Sequence, residues 1–248
     1  MPPVPAQASN PIIRWEYLVD EWDQVQEALV QHLGLTVVSV LGGLVVSIGL
    51  AALVLRFRAA GAPVTALTSF LYTIPSVALF GVLEPVAPSA TVAAGVALVT
   101  YTLLILVSAI VAGFRAVPEA VRDAADGIGL SPTRRVLGVE LPLALPYIVT
   151  GLRVATVTTV GLVTVAAIIG QGGFGRLILN GLRREFYTPM TIGAAGSILL
   201  ALLLDALLFG VGRLLTPWQR RHRRRTAPSP RPLRLPATGV PIPLEPTR

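Results

Sequence analysis

Long apolar stretches alternate with short polar ones along most of the chain. Five of them reach about 20 residues, the length at which a helix crosses the hydrocarbon core of a bilayer. They lie near residues 33–55, 64–83, 90–112, 147–169 and 190–215. Because a spanning segment must satisfy its own backbone hydrogen bonds, this pattern predicts an all-α polytopic membrane protein, a bundle of about five transmembrane helices.

The chain ahead of the first span has a different pattern. Apolar residues recur at helical intervals between acidic ones over residues 11–31, after Asn10 and Pro11, which suit the start of a helix. An amphipathic helix on the membrane surface is expected here, with Trp15 and Trp22 at headgroup depth. A solvated helix is the alternative. This N-terminal segment lacks the basic start and apolar centre of a cleavable signal peptide.

The longest polar interruption, residues 115–146, separates the third and fourth spans. Pro118 suits the first position of a helix, and Glu119 favours its positive end. Gly129 suits the left-handed residue that commonly ends a helix. The pattern predicts a helix around residues 117–129 with one apolar stripe, formed by Val117, Val121, Ala124 and Ile128.

A second short helix is predicted in the same loop. Ser131 and Pro132 suit its N-cap and first residue. Leu141-Pro142 is expected to end this helix, and Pro146 to separate it from the fourth span, because proline lacks the N–H that a helix interior uses.

The loop also contains a spaced motif: Asp123-Ala124-Ala125, three residues, Gly129, nine residues, Val139, one residue and Leu141-Pro142. It resembles the EAA loop of ABC-transporter permease subunits, in which Glu stands in place of this Asp and Ile in place of this Val. The flanking VELPLALPYIVTGLRVA and AAIIGQGGFGRLI resemble the osmoprotectant branch of that family, which handles glycine betaine, choline and carnitine. The resemblance covers roughly residues 30–215.

This resemblance implies a type I ABC permease fold, in which the loop is a coupling helix that inserts into a cytoplasmic ATPase. It implies an ATP-driven importer in a bacterial cell membrane, with a second permease subunit (a homodimer or a sister subunit) and an extracytoplasmic solute-binding protein. The expected ATPase-coupling residues are Glu119, Asp123, Ala124, Ala125, Gly129, Val139, Leu141 and Pro142.

Composition excludes several kinds of site. The chain has no Cys, and its 20 basic residues are all Arg. A Walker A loop needs Lys, so ATP and Mg²⁺ are expected on the partner ATPase, with no cofactor bound here and no enzymatic activity. The two histidines, His32 and His222, are far apart in the sequence, which argues against a metal site.

The distribution of arginine predicts the orientation. Twelve arginines fall on the side that holds residues 115–146 and the C-terminus, against four on the other side. Because positive residues favour the cytoplasmic side, the N-terminus is expected outside and the C-terminus inside. Residues 32–215 would be the permease domain. Residues 216–248, basic and Pro-rich, would be a disordered cytoplasmic tail beside anionic lipid, a role that explains its charge better than nucleic-acid binding.

Residues 170–175, GQGGFG, fit the spacing of a dinucleotide-binding loop, but they follow a membrane span and no acidic residue lies about 20 positions on. An outer loop that packs closely near the external gate is the preferred interpretation, as in the resembled family. A plain turn is the alternative. The possible gate residues are Gly170, Gly172, Gly173 and Gly175.

Asp205 is the one acidic residue deep within a predicted span. An intramembrane carboxylate is costly, so it indicates either a function or a paired charge. Arg153 lies at a similar depth in the fourth span, and a structural ion pair is predicted. The alternatives are a proton relay in a secondary carrier, a permease for an amino acid, nitrate or sulfonate, and a scaffold without transport.

Overall fold

The computed structural model describes residues 13–218, and this part of the chain is helical apart from its turns. The predicted helix start at Asn10-Pro11 and most of the basic tail lie outside the described residues. The helices are α1 (Trp15–Asp20), α2 (Trp22–Arg56), α3 (Gly61–Thr73), α4 (Ser76–Leu83), α5 (Ala90–Arg115), α6 (Glu119–Gly127), α7 (Pro132–Arg135), α8 (Leu141–Val165), α9 (Phe174–Arg183) and α10 (Tyr187–Leu215).

Within residues 13–218, four helical stretches are long and apolar enough to cross a membrane, or five if a bent pair counts as one span. They are α2, α5, α10 and the continuous stretch Pro132–Ile169, with α3 and α4 as the bent pair. The prediction of an all-α protein with about five spans is confirmed. The large apolar side chains that α2 and α10 expose face outward, as expected of helices in lipid.

The second span is broken, and the predicted single helix over residues 64–83 is wrong. The helices on either side of Pro75 meet at 91°. Ile74, directly before the proline, has an extended backbone (φ −63, ψ 127), the conformation that the proline ring imposes on its predecessor. The Tyr101 hydroxyl of α5 donates a hydrogen bond to the Ile74 carbonyl oxygen, so a neighbouring helix satisfies a group that lipid could not.

The first span begins earlier than predicted. The acidic segment does not form its own helix over residues 11–31: α1 ends at Asp20, Glu21 is non-helical, and α2 runs without a break from Trp22 to Arg56. No proline lies within α2, and Gly34 alone does not end a helix that has good helix formers on both sides.

The fourth span is also longer than predicted, because Leu141-Pro142 and Pro146 do not interrupt it. A π-helical turn, Val136–Glu140, joins α7 directly to α8. In this turn the Leu141 N–H donates to the Val136 carbonyl, five residues back. The wider turn bonds backbone groups one residue further along, which accommodates Pro142 without ending the helix.

The helix α5 lies at the centre of the bundle, between α2 and α8. One buried cluster joins α2, α4, α5 and α8 around Phe80, Leu98 and Val163, and a second joins α2, α3 and α5 around Val54 and Ile110. A third cluster, around Phe174, packs α9 against α2 and α10. The cores therefore fix the root of the polar loop, where α5 ends and α8 begins.

Candidate functional site

The polar loop between α5 and α8 begins with α6, and a glycine sets where this helix ends. Gly129 has φ +78, in the left-handed region that glycine adopts without steric cost. The N–H of Leu130 donates to the Ala125 carbonyl at 3.2 Å. The N–H of Gly129 donates to the Asp126 carbonyl at 2.9 Å. These bonds form a Schellman motif, which satisfies carbonyls that a helix end leaves unpaired.

The helix α6 has one buried position and a broad exposed side. Ala125 is buried, whereas Asp123 and Ala124 are exposed and Ile128 is 79% exposed. The predicted single apolar stripe is therefore wrong: Val117 is buried against the bundle and Ile128 faces away from it. Since the side chain of Ile128 has nothing to cover it, the exposed side of α6 suits a protein partner.

The remaining motif residues lie further along the loop. Glu119 is exposed in the first turn of α6, where an acidic side chain suits the positive helix end. Val139 is half-buried in the π turn, and Leu141 and Pro142 are half-buried at the start of α8. The structure thus places the first part of the motif on an exposed helix and the last part at the root of a span.

An ion-pair cluster around Glu140 joins these two parts. The Glu140 side chain is only 8% exposed, and it accepts from Arg122 Nε of α6 at 3.3 Å and from Arg135 Nε of α7 at 2.9 Å. Arg122 Nη2 also donates to the Phe114 carbonyl of α5 at 2.6 Å, and Arg135 Nη1 donates to Asp126 at 2.7 Å. Because the buried carboxylate has two charged donors, its desolvation is compensated.

This Glu140 cluster fastens α6 to the end of α5 and to the start of α8. The sequence analysis did not identify it. Arg135 and Glu140 are five residues apart, a spacing that shares a face only in a π turn, and the π turn was not predicted. Among residues 13–218, no group of three or more His, Cys, Asp or Glu side chains is placed to hold a metal ion.

Arg153 of α8 and Asp205 of α10 are in contact. Arg153 Nε and Nη2 donate to the two carboxylate oxygens of Asp205 at 2.8 and 2.7 Å, a bidentate pair. The guanidinium also lies 5.0 Å from the ring centroid of Phe209. The pair borders a mostly apolar groove of about 460 Å³ on the outside of these two helices. Both charges are therefore neutralised within the spanning region.

The glycines after α8 bring backbones very close together. Gly170, Gly172 and Gly173 have φ of +77, +122 and +49. A Cβ on Gly173 would lie 2.3 Å from the Ala28 carbonyl oxygen of α2, and one on Gly175 would lie 2.2 Å from the Thr164 carbonyl oxygen of α8. The loop is thus packed against two spanning helices.

Polar side chains that the sequence analysis did not single out hold this glycine loop. Gln31 of α2 accepts from the Gly173 N–H at 3.1 Å and donates to Gln171 at 3.2 Å. Gln171 also accepts from the Thr91 hydroxyl of α5 at 3.2 Å. His32, fully buried beside Phe174, contacts the Val160 carbonyl through Nε2 at 3.1 Å. The loop therefore joins α2, α5 and α8 at the end of the bundle opposite α6.

The chain resembles known proteins over most of its length. The family described as "Binding-protein-dependent transport system inner membrane component" matches residues 36–221. The osmoprotectant import permease protein OsmW of Salmonella typhimurium is 34% identical over 211 residues, which cover 81% of this chain and 96% of that protein. The choline transport system permease protein OpuBB of Bacillus subtilis is 32% identical over 189 residues, or 75% of this chain and 86% of that protein.

Solved structures show the same fold at low sequence identity. An inward-facing structure of the MetNI methionine ABC transporter has a TM-score of 0.68 at 21% identity, over 80% of this chain and 98% of that one. An amino acid ABC transporter with histidines has a TM-score of 0.69 at 18% identity, over 81% and 98%. The chain therefore belongs to the inner membrane components of binding-protein-dependent transport systems: it is a permease subunit of an ABC importer, in which a separate subunit hydrolyses ATP.

Proposed function

We propose that this permease subunit imports osmoprotectants of the glycine betaine, choline and carnitine class. The support is similarity: permeases named for these solutes match about three quarters or more of the chain. The likeness to methionine and amino acid transporters concerns the fold alone. A permease for an amino acid, nitrate or sulfonate is the alternative within the family.

The exposed side of α6 is proposed as the surface that docks on the ATPase, which would bind ATP and Mg²⁺. One observation carries this proposal: the Glu140 cluster makes an exposed helix rigid with α5 and α8. Small Ala124 permits close approach, Asp123 offers a charged acceptor, and Ile128 is an apolar contact. Movement of the ATPase would reach the spanning helices through Arg122 and Glu140 as a rigid-body shift.

The remaining parts of the transport cycle follow from this arrangement. With α6 on the cytoplasmic side, the N-terminus is outside and the C-terminus inside, as the arginine distribution favours. The glycine loop at the opposite end would then belong to the outer gate, where a solute-binding protein delivers its cargo. A second permease subunit, identical or homologous, would complete the path that this bundle does not enclose alone.

A proton-driven carrier that uses Asp205 is not favoured. Membership of an ABC importer family supplies ATP as the source of energy. In addition, both oxygens of Asp205 accept hydrogen bonds from Arg153, which stabilises the charged carboxylate and leaves a structural role as the simpler proposal.

The test is co-purification of an ABC ATPase with the detergent-solubilised permease. An Ile128→Glu variant should fold normally, because this side chain is 79% exposed, and should lose the ATPase. The matched control is Val86→Glu, an equally drastic change at a 76% exposed residue in the turn between α4 and α5. Retention of the ATPase by Ile128→Glu, in a preparation with normal melting, would reject α6 as the docking surface.

A further inference from the structure

A groove of about 820 Å³ lies between α3 and α5, where α5 ends and the chain turns toward α6. Two arginines stand at its end: Arg58, in the short 3-10 turn ahead of α3, and Arg115, the last residue of α5. Thr65 and Ser108 add hydroxyl groups, and Val107 and Val111 belong to its apolar wall. The groove therefore combines a cationic end with a mainly small and apolar body.

The two arginines are not neutralised within residues 13–218, where neither of them forms an ion pair or a side-chain hydrogen bond. In the adjoining loop, by contrast, Arg122 and Arg135 both pair with Glu140. The Arg115 guanidinium lies 4.0 Å from where a Cβ on Gly61 would stand, over the first turn of α3. No side chain caps that helix start, so its positive end adds to the same field.

We propose that this groove binds the headgroup of an anionic phospholipid. Guanidinium groups pair with phosphate oxygens in bidentate geometry and are more weakly hydrated than ammonium groups, so they suit a site at the membrane boundary. Both arginines sit at helix ends, the depth of a headgroup, while the apolar wall below them matches the start of an acyl chain. Basic pockets between spanning helices are known sites for anionic headgroups.

A lipid in this groove would fill the space between α3 and α5 directly beside the root of α6. The site does not depend on which solute is transported or on where the ATPase docks. Its failure would leave the proposed function untouched, and the reverse also holds. A free phosphate ion and a second copy of this chain are the other occupants that the experiment must separate from a lipid.

The experiment is native mass spectrometry of the purified full-length permease, titrated with phosphatidylglycerol or phosphatidylcholine. The wild type should prefer phosphatidylglycerol, and Arg58→Gln/Arg115→Gln should lose that preference by about 25-fold, since each arginine near an anionic surface contributes about five-fold. Arg56→Gln removes one neighbouring charge outside the groove and should keep the preference. Circular dichroism would verify that all variants are folded.

Three outcomes would overturn the proposal. The double variant could keep the wild-type preference, which would place the lipid elsewhere. Inorganic phosphate at millimolar concentration could displace phosphatidylglycerol fully, which would identify a site for the free ion. The double variant could instead change the proportion of dimer in the same spectra without changing lipid binding, which would assign the groove to contact between two copies of the chain.

Discussion

The left-handed backbone of Gly129 is a single-residue feature on which the shape of α6 depends. An L-residue at this φ of +78 costs about 1–2 kcal/mol, so Gly129→Ala should loosen the end of the helix. Gly127→Ala is the matched control, because Gly127 is helical and open space surrounds its Cα, so alanine should stabilise α6 by about 0.5–1 kcal/mol. Hydrogen exchange of the α6 amides should rise in the first variant only; equal protection in both would contradict this account.

Glu140 and Asp126 both pair with Arg135, but they differ in burial. The Glu140 side chain is 8% exposed and that of Asp126 is 51% exposed. Glu140→Gln should lower the free energy of unfolding by about 1–3 kcal/mol, since it leaves buried charged donors without their counter-charge. Asp126→Asn should change it by less than about 1 kcal/mol, as is usual for exposed pairs.

The functional consequence of Glu140→Gln can be measured in the reconstituted importer. The ATPase should still bind the exposed side of α6 and hydrolyse ATP, while solute uptake falls, because the movement of α6 is no longer passed firmly to α5 and α8. Equal uptake by the Gln variant and the wild type would show that the cluster only stabilises the loop. Asp126→Asn serves as the control with normal uptake.

Among the helices, the contact between α8 and α10 depends on one charged pair. Removing either partner leaves a lone charge in the spanning region, so Arg153→Met and Asp205→Leu should each lower the melting temperature. The double variant Arg153→Met/Asp205→Leu should regain at least half of the loss, since it leaves neither charge. A double variant less stable than both single ones, or one that folds normally but loses all uptake, would contradict a purely structural role.

At the same scale, the patterns that predict helices report local preferences and miss what neighbours impose. The apolar runs predicted the spans, and the glycine that ends α6 followed from its motif. The 91° bend at Pro75 was missed, because its freed carbonyl finds a partner only on α5, at Tyr101. The Glu140 cluster was missed because its geometry exists only once the π turn has formed.

For the whole molecule, the decisive property is the side of the membrane on which α6 lies. The chain contains no Cys, so one introduced thiol is the only target for a maleimide. Thr133→Cys, exposed in the polar loop, and Val86→Cys, exposed in the turn between α4 and α5, probe opposite ends of the bundle. An impermeant maleimide added to intact cells should label Val86→Cys and leave Thr133→Cys unlabelled.

Inside-out vesicles should reverse this labelling, which controls for poor reactivity at either site. The expected orientation places the arginine-rich ends at the cytoplasmic surface, where positive residues are retained during insertion. Labelling of Thr133→Cys from outside would place α6 beyond the reach of any cytoplasmic ATPase. The fold would be unchanged by that result, yet the coupling role of α6 and the gate at the glycine loop would both have to be abandoned, because each is defined by the side of the membrane it faces.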